Sequence, residues 1–241
     1  MWLSSPLLRA PHGFSTRRAG NFDDREDDPA RVALNRERGL REVGLSDRVV
    51  ARLSQVHGAD VRRAAEGVQE GDALVADDPR FVLTVMTADC YPLLFEDPQA
   101  GVVGAAHAGW RGTVSRIAER TIEAMEALGA RRDRVRVAVG PGICAGRYAV
   151  GEEVARKFEA EGLGEAVSRR DVVHLDLLRA NVLVLTDAGL TPSQIWAANR
   201  CTTHPDFFSY RRDAGQTGRM WSVVSISEPI PSRSAKWDEL K

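Results

Sequence analysis

Three residues with metal-binding side chains close short runs in this sequence. They are His57 in 54-SQVHGAD-60, Cys90 at the end of 84-TVMTADC-90 and His107 at the end of 101-GVVGAAH-107. Catalytic groups collect where a rigid strand gives way to a loop. Two imidazoles and a thiolate suit zinc, and a set of three protein ligands leaves a fourth position where water is made acidic. That is the composition of a catalytic metal site. The separations of 33 and 17 residues contain no close pair such as Cys-x-x-Cys, so spacing leaves other readings open. Cys90 also suits a small buried hydrophobe, His107 a hydrogen-bonded core histidine, and His57, next to Gly58, a turn. Cys90 with His107 as its base would make a metal-free nucleophile pair. A fourth thiolate from Cys144 or Cys201 would instead close a structural zinc site in a binding module without catalysis.

Other residues suit a polar substrate. In 107-HAGWRGT-113 a glycine-rich turn leads into a helix, and free N–H groups together with the Arg111 guanidinium make a seat for phosphate or carboxylate. The competing use of Arg111 is an ion pair. The segments 13-GFSTRRAG-20, with Arg17, and 208-FSYRRDAGQTGR-219, with Arg211, mix hydroxyls, arginines and glycines in loops. Neither has the spacing of a P-loop or dinucleotide fingerprint. The segment 140-GPGICAGRYAVGEE-153, which carries Tyr148, lines the same cleft or is simple loop geometry. Water activated on a metal needs a carboxylate to take its proton, and Asp89, beside Cys90, or Asp72 is the candidate.

These residues need elements to position them. Asp28 followed by Pro29 predicts an N-cap and first helical position for a helix running to about Gly44. A second helix is expected to begin near Gly112, with Val114, Ile117, Ala118, Thr121, Ile122, Met125 and Leu128 at helical spacing and Gly129 as its stop. Two more are expected at about 151–161 and 175–188. Strand-like runs fall at 82–88, 91–97, 101–109, 134–142, 194–199 and 220–226. Several are apolar almost throughout, as in strands covered on both faces. Residues 82–109 hold strands in succession with no helix between them. The expected architecture is therefore a layered α/β (α+β) fold, a single domain over 1–241 with a mixed β-sheet flanked by helices.

Of the 241 residues, 43% are hydrophobic, enough for a real core. With 33 basic and 34 acidic residues the net charge is −1. No positive field gathers phosphate backbones or anionic lipid, so nucleic acid and membrane are not expected partners. No apolar run reaches the roughly 18 residues of a spanning helix, and residues 1–14 lack the apolar stretch of an export signal. Three cysteines, an odd number, read as reduced thiols and hence a cytoplasmic protein. Five histidines fall short of the roughly ten imidazoles expected of a full multicopper centre. A single copper ion on His57, Cys90 and His107 remains the alternative to zinc.

The strings 54-SQVHGADV-61, 71-GDALVAD-77, 87-TADCYPLLF-95, 105-AAHAGWRGTV-114, 140-GPGI-143 with 148-YAVGEEV-154, and 208-FSYRRDAGQTGR-219 resemble the signature blocks of a bacterial family. It is the YfiH/YlmD-type laccase-domain family, also called polyphenol oxidase and purine nucleoside phosphorylase. The resemblance runs from about residue 11 to 227. It implies a zinc ion held by His57, Cys90 and His107, and a fold similar to the catalytic domain of cytotoxic necrotizing factor deamidases. The implied activities are phosphorolysis of adenosine, inosine, guanosine and methylthioadenosine, and hydrolytic deamination of adenosine. On that reading Cys90, His107 and Asp89 are catalytic, while Arg111, Arg17, Asp72, Tyr148 and Arg211 surround a purine nucleoside and phosphate. One departure stands out. Many members carry a Cys-Cys pair before the tyrosine of the Tyr-Glu-Val-Gly block, whereas this chain has Gly146-Arg147 before Tyr148 and Ala149 in place of Glu.

Overall fold

The computed structural model of the chain describes residues 1–227. The first half contains β1 (Trp2–Leu3), β2 (His12–Ser15), α1 (Pro29–Glu42), β3 (Val49–Ser54), β4 (Val61–Arg63), β5 (Val68–Glu70) and β6 (Ala73–Ala76). Next come β7 (Phe81–Thr87), β8 (Tyr91–Asp97), β9 (Val102–Ala108), α2 (Trp110–Val114) and α3 (Ile117–Glu126). The rest is β10 (Arg136–Val139), α4 (Glu152–Ala160), β11 (Val167–Arg169), β12 (Val173–Leu175), α5 (Leu177–Asp187), β13 (Ile195–Ala197) and β14 (Met220–Ser225).

The expected mixed sheet is two mixed sheets. One has the order β1-β2-β14-β7-β3-β5 and the other β13-β10-β8-β9-β6-β4, with β11 and β12 as a separate hairpin. Each contains parallel and antiparallel neighbours: β3 runs parallel to β7 and β5, while β14 runs antiparallel to β7. Strand alternation shows how they stack. Along β7, Phe81, Leu83 and Val85 join a cluster with Leu74, Leu94, Val103 and Ala138 of the other sheet, so this is the layer between sheets. Val82 and Met86 face the opposite way, with Trp221, Val223, Phe22 and Leu40 of α1. The outer face of the second sheet packs Leu93, Phe95, Val102 and Val137 against Ile117, Ile122 and Met125 of α3, Phe158 of α4 and Leu177 and Val184 of α5. The order is helix, sheet, sheet, helices.

Local chemistry accounts for the helix ends. Asp28 accepts from Ala30 N–H at 2.8 Å with Pro29 in the first turn, as expected, and Asp176 caps α5 through Arg179 N–H. The long helix expected after Gly112 is corrected: it begins at Trp110 and breaks into α2 and α3 at Arg116, whose φ is 60°. The two pieces have different tasks. Gly112 in α2 abuts the loop after β3, where a Cβ would lie 2.8 Å from the Gly58 carbonyl. The apolar stripe of α3 lies on the outer face of the second sheet.

Three links between the sheets matter most for function. The chain passes from the first sheet to the second between β3 and β4, between β5 and β6, and between β7 and β8. Those links carry His57, Asp72 and Cys90. Because β3, β5 and β7 are mutually aligned, all three leave the first sheet at one end. β9 finishes at that same end, its Ala108 paired with Tyr91 at the start of β8.

Candidate metal centre

Each site residue owes its place to a tight backbone feature. The link from β7 to β8 is only Ala88, Asp89 and Cys90, and it turns through Asp89 at φ 88°. The longer link from β3 to β4 turns through His57 at φ 62°. Such left-handed conformations in non-glycine residues cost on the order of 1–3 kcal/mol and persist where surroundings over-determine them. His107, by contrast, sits in regular strand. It shares the inter-sheet parity of Val103 and Ala105, but lies at the strand's end, beyond the apolar fill.

The outcome is a convergence. The ligand atoms of His57, Cys90 and His107 all lie within 4.8 Å of one another, the one such group of histidine, cysteine and carboxylate side chains found among the described residues. The two imidazole rings meet edge to face at 4.8 Å between centroids and 81° between planes. His57 is exposed, Cys90 half-buried and His107 buried, so the group opens to solvent on the His57 side. Donors on one tetrahedral ion are separated by roughly 3.3–3.7 Å, given bond lengths of about 2.0–2.3 Å. A small contraction brings these donors to that spacing, and two nitrogens with one sulfur form a set that zinc and copper both accept. The residues present fit a metal.

His107 Nδ1 hydrogen-bonds Asp72 Oδ1 at 2.8 Å. The Asp72 carboxylate also accepts from the backbone N–H groups of His57 at 3.0 Å, Gly58 at 2.6 Å and, more loosely, Val56 at 3.3 Å. Burial would push the Cys90 thiol up, but the neighbouring His107 and His57 imidazoles outweigh it and hold the thiol down to about 6. Burial likewise works against a charged His107, yet the Cys90 thiolate and Asp72 raise that ring to about 9. Burial would raise Asp72 as well, and its bond to His107 and the backbone donors instead keep it below the usual carboxylate range.

The other expected residues fall into two groups. Asp72 is fully buried behind the imidazoles, not facing a cleft as a substrate contact would. Asp89 is buried beside Cys90; its Oδ1 accepts from the Thr202 hydroxyl and its Oδ2 from Arg211 N–H, each at 2.6 Å. Tyr148 stands on the same side. Burial pushes its hydroxyl upward, as does the charge of Cys90, while Arg211 and Arg111 pull it back. The Arg211 guanidinium lies 5.1 Å from the Tyr148 ring and donates to the Ala149 carbonyl at 2.8 Å. Arg111 lies over Trp110 at 4.3 Å, and Arg17 over Phe208 at 5.2 Å, in the loop that leads to Arg211. None of these three arginines has a carboxylate partner among the described residues, so the ion pair that competed for Arg111 is not formed among them.

Two features were not expected. The reading of three reduced thiols is corrected: Cys144 and Cys201, 57 residues apart, form a disulfide, leaving Cys90 as the free cysteine. Their approach depends on β10 and β13 pairing in parallel, followed by a bridge between Gly142 and Cys201, which no local pattern announces. The pairing removes both from the metal and removes the thiol count as an argument about compartment. It also joins two of the segments that hold Asp89, since Ile143 N–H donates to the Asp89 carbonyl and Thr202 to its carboxylate. The second feature is Gly109, where a Cβ would lie 3.0 Å from Cys90 Sγ and 3.3 Å from a His57 ring carbon. The remaining histidines are elsewhere: His12 bonds Ser5 and Ala10, His174 bonds Val172, and His204 lies near Asp206. Among the described residues no helix is long and apolar enough to cross a membrane.

Residues 12–227 match the family described as multi-copper polyphenol oxidoreductase laccase. A protein of Deinococcus radiodurans named purine nucleoside phosphorylase is 53% identical over 235 residues, covering 93% of this chain and 92% of that one. A protein from an unknown prokaryotic organism, named adenosine deaminase, is 42% identical over 168 residues, 67% of this chain and 63% of its own length. The crystal structure of YlmD from Geobacillus stearothermophilus superposes with a TM-score of 0.87 at 31% identity, covering 94% of this chain and 96% of that one.

Proposed function

This chain belongs to the family described as multi-copper polyphenol oxidoreductase laccase, and from that premise we propose that it is a zinc-dependent purine nucleoside phosphorylase that also deaminates adenosine. Its substrates on this reading are adenosine, inosine, guanosine or methylthioadenosine together with phosphate. The observation that carries it is the convergence of His57, Cys90 and His107, with Tyr148 within reach of Cys90 and of Arg111 and Arg211, arginines that have no carboxylate partner among the described residues. The relatives' names supply the reaction classes. A metal bound at these three side chains supplies Lewis acidity, the means of activating water or polarising a substrate atom.

The chain's own groups do the rest. In phosphorolysis a phosphate oxygen bonds to the ribose C1′ as the bond to the purine nitrogen breaks. Arg111 and Arg211, with Arg17, offset the phosphate charge. Tyr148, held protonated by burial, offers a hydroxyl hydrogen to the substrate. Proton transfer falls to Asp89 rather than Asp72. An ionised carboxylate has about four lone-pair sites; Asp72 accepts from four donors and is fully buried, whereas Asp89 accepts from two side-chain or backbone donors at its carboxylate.

A single copper ion oxidising phenols is the second reading, favoured by the family's description and by a nitrogen and sulfur donor set that copper binds tightly. A multinuclear copper cluster does not fit, because three of the five histidines lie away from the site. The deciding experiment incubates metal-quantified protein with adenosine, with and without phosphate, and separates the products by chromatography. Free adenine and ribose 1-phosphate that require phosphate support the phosphorylase; inosine formed without it supports deamination. Neither product, with phenol oxidation instead, overturns the proposal.

A further inference from the structure

We propose that Asp72 is the positioning residue of the metal centre, one carboxylate that sets both the backbone shape presenting His57 and the ring tautomer presenting His107. The inference rests on the reading of His57, Cys90 and His107 as metal ligands. It concerns a residue that touches none of the reacting atoms.

The first half of the argument is the His57 turn. Three successive N–H groups, from Val56, His57 and Gly58, point at one carboxylate. Such a run around a left-handed residue forms a concave nest for an anion. Hydrogen bonds to a charged acceptor are among the stronger ones, and three of them together offset the strain of the positive φ at His57. The conformation of this exposed ligand is therefore dictated from underneath.

The second half is the His107 ring. An ionised carboxylate only accepts, so Nδ1 must carry the hydrogen in the 2.8 Å bond to Asp72. With Nδ1 taken by Asp72, Nε2 is the nitrogen left for a metal, which would displace any hydrogen it carries. Asp72 grips the same residue a second time, because its carbonyl accepts from His107 N–H at 2.8 Å across the β6 to β9 edge. Metal-bound histidines that donate their other nitrogen to a carboxylate are oriented in this way.

Asparagine is the discriminating substitution because it keeps the shape and loses the logic. Every partner of the carboxylate is a donor, so an amide turned either way sets its NH2 against an N–H. If it faces Gly58 and Val56 the nest opens. If it faces His107 it donates to Nδ1 and forces the hydrogen onto Nε2, the ligating atom.

The test is zinc affinity of the full chain, by competition with a chromophoric chelator, for the parent and Asp72→Asn. Unfolding temperatures of both in excess chelator report on the fold. Zinc affinity of the folded variant is expected to fall about ten- to a hundredfold. A role confined to stability would lower the unfolding temperature and leave the affinity of folded protein unchanged, so affinity within threefold of the parent overturns the inference. Should the variant fail to fold, nitrogen-15 spectra of the zinc-loaded parent decide. Hydrogen on Nδ1 of His107 is expected, and hydrogen on Nε2 overturns the inference. A parent that binds no zinc defeats the metal reading itself, and this inference falls with it; a parent that binds zinc as tightly as its variant defeats this inference alone.

Discussion

Gly109 and Cys90 are packed so closely that a single methyl group on Gly109 would lie 3.0 Å from the Cys90 sulfur and 3.3 Å from the His57 ring. Both neighbours are proposed ligands, and neither link can retreat cheaply, since each turns through a left-handed residue. Gly109→Ala is expected to leave the protein folded while weakening metal binding at least tenfold. Metal affinity of the variant beside its chelated unfolding temperature checks this. Unchanged affinity would show that the two links are slacker than their geometry implies.

Cys90 is the free cysteine of the chain, and its thiol is drawn down to about 6 by the adjacent imidazoles. A lowered value means that the reactive thiolate predominates above that pH and disappears as pH falls through it. Alkylation of chelator-treated protein by iodoacetamide is therefore expected to rise with a midpoint near pH 6. Ordinary thiols titrate near 8.5. Metal loading is expected to suppress the reaction, and a midpoint near 8.5 in metal-free protein would contradict the electrostatics described.

Arg111→Ala is expected to raise the KM for phosphate about tenfold or more while changing adenosine deamination less than threefold, because water rather than phosphate is the nucleophile there. Arg211→Ala tests the same division, with the qualification that its backbone N–H, which holds Asp89, is untouched by the change. Steady-state kinetics of both reactions decide. Equal losses in the two would remove the assigned role.

The Cys144–Cys201 bridge closes a long loop and ties together two of the segments that hold Asp89, those of Ile143 and Thr202. Cys144→Ser is expected to cost about 2–4 kcal/mol of stability, the usual range for a native disulfide, measured by denaturant unfolding. It is also expected to reduce turnover more than metal binding. Intact mass after alkylation without reductant should show one modified cysteine in the parent; three would contradict the bridge.

The candidate ligands were legible in the sequence and their support was not. Cys90 and His107 each end an apolar run and His57 stands beside the turn at Gly58, while spacing leaves other readings open and the family resemblance is what implies that the three share a metal. Asp72 is different. It was expected to touch substrate, and its burial follows from β6 pairing with β9, a contact that brings residues 72 and 107 together. Helices with strong ends were predictable, as Asp28-Pro29 shows. The break at Arg116 was not, because the periodic stripe runs past it unbroken. The division into two sheets was hidden for a related reason: β4 and β5 are three-residue strands with little pattern, so nothing marked the crossings that bring the site together.

The central claim is that two imidazoles and one thiolate share one ion. X-ray absorption at the metal edge of the zinc-loaded protein measures this most directly. The account predicts one sulfur scatterer at about 2.3 Å and two imidazole nitrogens at about 2.0–2.1 Å, with the sulfur lost in Cys90→Ala. A spectrum with no sulfur scatterer, or one that Cys90→Ala leaves unchanged, would contradict it.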